Sequence, residues 1–405
     1  MIFSIAWRNV WRNKVRSLVI MSAIALGLTA GIFATAFMVG MMHQRIDKAI
    51  KTEIAHIQIH NNDFRQSNDI KSFIPDATDV QNEIAEMEHV MGVATRTVIF
   101  SMISSAETAS GVKITGIDTT NEKLVSNLHT KIVEGSYFNE KRRNPVVISK
   151  KLAEKLNVKM GSKVIITLQD LDNNITAGAF RIVGLFETLN DVFDEGVVYV
   201  INRDIQRLIS FPGNAAHEIA ILIDDDEFTE SVQGNIKKIA GHHEVLNWKE
   251  ISPEMSYLTE SMAMFMYIFI IIVLLALLFG IINTMLMVVL ERVKELGMLM
   301  AIGMNKLRIF RMIVLETIML SLTGGLVGIV IGWLISKYYE TNAFDLSMWS
   351  TGYRSLGYDP FVYLKIDPQY LVEITVMVIV TGIVASIYPA YKALKNDPAD
   401  ALRIE

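Results

Sequence analysis

The chain has 405 residues, 51% of them hydrophobic and 20% charged, with a mean hydropathy of +0.34. A soluble domain carries nearer a quarter charged residues, so a wholly soluble chain is excluded. Cysteine is absent, which excludes thiol chemistry, disulfide staples and cysteine-built zinc sites, and any domain outside the membrane needs a full apolar core.

Residues 1–17 carry Arg8, Arg12, Lys14 and Arg16 among apolar residues, an amphipathic pattern. The uncharged run that follows is longer than the apolar core of a signal peptide and ends at Met41, Met42 and His43 without a small-residue cleavage site, so an uncleaved first span over 18–42 is expected. Ala23, Gly27 and Gly31 recur on it at four-residue spacing. Residues 43–260 are of mixed composition and read as an external α+β domain. Strands are expected near 54–59, 93–103, 111–118, 144–149, 163–169, 179–187, 196–201 and 217–223, with helices at 78–88, 149–157, 202–210 and 227–240. Strands from the two ends of the insert should pair, leaving about 106–210 as an inserted subdomain.

A second uncharged run spans 261–290, a polar segment covers 291–312, and a third span covers 313–336 with Gly324, Gly328 and Gly332 at four-residue spacing. Small residues on one face let helices approach closely in lipid; packing inside one bundle and a subunit interface both remain open. A loop over 337–370 holds nine aromatics, which reads first as a membrane-interface belt. A fourth span over 371–391 and a tail over 392–405 complete a membrane α-helical fold: four transmembrane helices, with the external domain inserted between the first and second.

Charge orients the chain. Segments 1–17, 291–312 and 389–405 hold 12 Lys/Arg against 5 Asp/Glu, whereas 43–260 holds 23 against 32. The basic flanks, with both termini, are expected in the cytoplasm, and the insert outside. Candidate chemistry is sparse. His56 and His60 share a strand face but lack a convincing third ligand, and Asp224-Asp225-Asp226-Glu227 reads as the charged start of a helix. Glu316 enters the third span, where pairing with Arg8, Arg12 or Arg311 is expected. No catalytic or metal site is found, and nothing points to nucleic acid.

Glu291-Arg292-Val293-Lys294-Glu295-Leu296-Gly297, followed by Ala301-Ile302-Gly303, resembles the coupling segment of the FtsX-like permease superfamily. These are four-span subunits of mechanotransmitting ABC transporters. Trp7-Arg8-Asn9-Val10-Trp11-Arg12 resembles the family's N-terminal helix, and Pro389-Ala390-Tyr391 and Asp397-Pro398-Ala399 its tail. Glu134-Gly135-Ser136-Tyr137-Phe138 and Val146-Val147-Ile148-Ser149 resemble the MacB-type periplasmic core domain. The resemblance implies that Glu291, Glu295, Leu296, Gly297, Leu299, Ala301 and Gly303 couple to a separate ATPase dimer, which carries the ATP and magnesium. This chain has no phosphate-binding loop, so the nucleotide chemistry is expected in trans, and for want of a catalytic site no cofactor of its own and no enzyme activity are expected.

The resemblance further implies a Gram-negative inner-membrane permease of the lipoprotein-releasing type, paired with a second permease, itself or a paralogue. Such a permease passes acylated lipoprotein cargo to a periplasmic carrier. Export or efflux, and activation of a periplasmic hydrolase, are the alternatives. Met262, Phe265 and Met266 share a helix face, and Met38 and Met42 lie close together on the first span. With lateral entry placed between spans one and two by the resemblance, these five are expected to form a gate that contacts membrane lipid and acyl chains.

Overall fold

A computed structural model describes residues 2–12, 14–138, 143–366 and 368–395; the Asp397-Pro398-Ala399 match lies outside them. Among these residues, four helices are long and apolar enough to cross a membrane: Lys14–Ala49, Pro253–Glu291, Lys306–Thr341 and Pro368–Lys395. The chain divides into a helical unit, 1–43 with 259–345 and 361–405, and an external unit, 44–258 with 346–360.

In the helical unit the glycine stripe of the third span is used internally. A carbon added at Gly324 would stand 2.7 Å from the Met21 carbonyl oxygen, and one at Gly328 2.7 Å from that of Ala25. Gly332 faces Ile32 on the same helix, and Gly27 faces Leu277 of the second span. A carbon added at Gly31 would meet nothing within 4 Å, although the residue is buried. The third and fourth spans approach where Gly382 faces Ser321.

The external unit is built on a sheet of ten strands among the described residues: β1 (Ile57–His60), β2 (Val90–Ser104), β3 (Ala109–Ile117), β4 (Ile132–Gly135), β5 (Pro145–Ser149), β6 (Lys163–Gln169), β7 (Ile175–Phe186), β8 (Val197–Ile201), β9 (Glu218–Ile223) and β10 (Glu244–Asn247). Strands β10, β1 and β9 lead to β2, so strands from both ends of the insert do pair. From β2 the pairing runs through β3, β8, β5 and β7, and β6 joins β7 back to β2. Six strands therefore close on themselves, which removes open edges. One core, with Ile103, Ile114, Ile148, Ile166 and Phe180, belongs to this ring. A second, with Ile57, Ile59, Ile84, Ile219 and Ile236, belongs to the β1–β9 side. β2 contributes to both. The sequence reading omits β4 and β10, which are four residues each and too short to show a period.

A buried ion cluster ties β2, β9 and the helix Thr119–Val125 together. Arg96 donates to both oxygens of Glu122 at 2.9 and 2.6 Å and to Glu218 at 2.7 Å, while Lys113 lies 3.7 Å from Glu218. Burial raises the Glu218 carboxyl, but Lys113 and Arg96 outweigh it and hold it at about 2. His217 accepts from the Val98 amide on Nδ1 and lies 2.9 Å from the Ile70 carbonyl through Nε2, which requires the neutral ring. Burial pushes His217 down to about 4 and also lowers His56 and His60.

The aromatic loop is not a plain interface belt. Phe344 packs edge-on against Phe33, Phe37 and Tyr339 inside the helical unit. Residues 346–360 belong to the external unit, where Arg354 donates to Glu187 at 2.6 Å, Lys48 pairs with Asp359, and Gly357 lies on the Arg45 guanidinium.

Replacing Arg96 by Met would leave Glu122 and Glu218 buried without their main cation. It should cost about 3–5 kcal/mol, read as a lowered Tm of the detergent-purified chain, and apolar replacement of all three should recover most of it. Acidification should also destabilise the external unit. The unfolded chain protonates its histidines near 6.5, before the folded chain does, so stability present above about 6.5 is lost as pH falls towards 4. Asp194, which burial raises to about 6 against its hydrogen bonds from Thr188, works in the opposite sense. Asp194→Asn should therefore steepen the loss of Tm between pH 6.5 and 4.

Candidate coupling site

The helix Val293–Ala301 follows the second span after a break at Arg292. Its end is closed by two hydrogen bonds, from the Met304 amide to the Leu299 carbonyl and from the Gly303 amide to Met300, each 3.0 Å. This is the Schellman arrangement, and it needs a left-handed residue after the cap; Gly303 supplies it with φ +98°. Asn305 then accepts from the Leu307 amide and starts the third span.

A chain of ion pairs fixes this helix. Arg12 of the N-terminal helix Ile2–Arg12 donates to both Glu295 oxygens, at 2.6 and 2.8 Å. Arg292 donates to Glu295 at 3.2 Å and to Glu316 at 3.1 and 3.3 Å. The hydrogen bond from Arg12 is the main cause that holds the Glu295 carboxyl below the ordinary carboxylate range, and the same bond raises Arg12. Glu316 thus meets Arg292, a partner the sequence did not suggest, because the turn at Arg292 returns that side chain to the start of the third span, and its charge also acts on the expected Arg12.

Burial divides the expected coupling residues. Leu296 and Gly297 are buried, and Leu296 shares a cluster with Val10, Ile309, Met312 and Ile313. Both residues pack the helix against the bundle. Leu299 is half-buried and packs on the same cluster, whereas Glu291, Ala301 and Gly303 are exposed. Ile302, 85% exposed, and Met298, half exposed, form an outward apolar pair that the sequence reading passed over. Their i, i+4 spacing was the available signal.

The expected gate does not form one wall. Met266 is 3% exposed within the bundle core and Met38 packs against that core, while the adjacent Phe265 is 57% exposed. Met42 is buried and Met262 half-buried. Neighbours on a helix point about 100° apart, so the shared face of 262, 265, 266 and 269 is too broad to stay on one side. In the external unit, Ile223 donates its amide to His56 Nδ1, and His60 lies 2.8 Å from Gln58 and 3.1 Å from the His217 carbonyl. Asp225 caps the turn at 226–228, and Asp226 accepts from Trp248 Nε1.

Four apolar helices, a mixed α/β domain between the first two and a pinned helix between the second and third define a multi-pass membrane protein. The MacB-like periplasmic core domain matches residues 17–239, and the FtsX-like permease C-terminal domain matches 267–398. The chain belongs to this family of ABC transporter permeases, which work with an ATPase partner. It is 27% identical over 232 residues to an uncharacterised ABC transporter permease of Methanocaldococcus jannaschii, covering 56% of this chain and 55% of that one. It is 25% identical over 302 residues to the lipoprotein-releasing system transmembrane protein LolC of Xylella fastidiosa, covering 72% of each. Over 127 residues it is 35% identical to the macrolide export ATP-binding/permease protein MacB of Rhodopirellula baltica, covering 31% of this chain and 16% of that one.

Gly303→Ala should lower the Tm by the equivalent of about 1–2 kcal/mol through backbone strain alone, since no atom lies within 4 Å of the added carbon. Ile302→Ala, one residue away and exposed, should leave the Tm unchanged; equal losses would mean that the turn is not the cause.

Proposed function

We propose that this chain is the membrane permease of a lipoprotein-releasing ABC transporter. A separate ATPase dimer hydrolyses ATP, and two permeases, of this chain or with a paralogue, hand acylated lipoproteins to a periplasmic carrier. The observation that carries this reading is the extent of the LolC match. It covers 72% of both chains, whereas the MacB match covers 31% of this one. Macrolide-type export is the second reading, favoured by the higher identity of that shorter match.

The charge balance supports an inner-membrane protein with both termini in the cytoplasm and the external unit in the periplasm. On that reading the helix Val293–Ala301 faces the ATPase. Leu296 and Gly297 hold it to the bundle, and Met298, Ala301, Ile302 and Gly303 are offered for docking. An apolar pair in the centre of an interface is where binding energy concentrates. Ile302→Asp and Met298→Asp should therefore insert and melt as the parent does but lose the co-purifying ATPase and all transport. Transport itself is tested in proteoliposomes holding the recovered complex and a triacylated protein. ATP-dependent transfer of that protein to the soluble carrier fraction is expected. ATPase activity without any such transfer would overturn lipoprotein release and leave export.

A further inference from the structure

The N-terminal helix Ile2–Arg12 buries Val10 in the bundle cluster but leaves Phe3, Trp7 and Trp11 exposed. These three recur every four residues and form one stripe, with the Trp7 and Trp11 rings edge-to-face at 6.0 Å. Arg8 and Arg12 follow Trp7 and Trp11 by one residue, about 100° around the helix. Arg8 and Lys14 are exposed, and among the described residues neither meets a carboxylate. An aromatic stripe flanked by cations is the composition of a helix lying in an anionic headgroup layer.

Arg12 differs from the other cations, since both of its charge-assisted bonds go to Glu295 of the helix Val293–Ala301. We propose that the N-terminal helix docks on an anionic phospholipid surface through Phe3, Trp7 and Trp11, and that the Arg12–Glu295 pair uses this docking to hold the coupling helix in place. The lipid charge around the permease would then set how firmly the ATPase-facing segment is presented. The inference rests on the reading of 293–301 as that segment.

The test uses the full chain in nanodiscs of phosphatidylcholine, alone or mixed with phosphatidylglycerol, without any ATPase. The chain has no native cysteine, so Phe3→Cys, Trp7→Cys and Asn305→Cys can each carry one environment-sensitive fluorophore. With phosphatidylglycerol, labels at 3 and 7 should shift to the blue and resist an aqueous quencher, while the label at 305 should stay in water. Amide exchange over 293–301 should slow about three- to five-fold on adding phosphatidylglycerol, the scale of one partly exposed ion pair. Arg12→Gln and Glu295→Gln should each abolish that response, and Arg12→Lys should keep part of it. Labels at 3 and 7 as accessible as the one at 305 would overturn the docking. Exchange that responds equally in the parent and both Gln variants would overturn the link through Arg12. These readouts need no nucleotide, so failure to recover an ATPase bears on the proposed function and leaves this inference standing.

Discussion

Inside a bilayer, apolar side chains gain little by leaving lipid for each other, so helix association depends on how closely backbones can approach. Here that approach is made at Gly324 and Gly328, where the third span lies against the carbonyls of Met21 and Ala25. The third span is one unbroken helix from Lys306 to Thr341. Fixing its middle therefore fixes its first turns, and Ile309, Met312 and Ile313 there form the floor under Val10 and Leu296. Without the glycine contacts, the short helix between spans two and three would have no fixed surface to rest on.

That short helix divides its labour by angle. One side is apolar and buried, and the polar edge is shared among two arginines and two carboxylates. The outer side keeps Met298 and Ile302 in solvent, which is costly unless a partner covers them. Buried and exposed apolar residues thus lie a turn or less apart, and a substitution can disturb one set without the other.

The four spans, their order and the inserted domain were legible because length and hydropathy speak directly in a membrane. The β1–β9 pairing was legible from alternation in Ile57–Ile59 and 217–223. The closure of β6 onto β2 was not, because alternation shows that a segment is a strand but not which strand it pairs with, and unlike the two ends of the insert these strands are not brought together by the spans. At the coupling segment the sequence did not separate buried from exposed residues: Leu296 and Gly297 pack into the bundle, and a motif does not say which of its residues pack and which face outward. Met38, Met42, Met262, Phe265 and Met266 were grouped by residue type and spacing. Their burial depends on which neighbours each helix receives, which the sequence does not state.

Strand β2 has fifteen residues and pairs with β9 over its first half and with β3 and β6 over its second. Side chains on a strand alternate between faces, so a shift of one residue anywhere along β2 would turn Val93 out of one core and Ile103 out of the other together. The two cores cannot choose their registers independently. The external unit should consequently melt as a single cooperative body although it has two apolar centres, and single-residue insertions should be tolerated in its turns but not in β2.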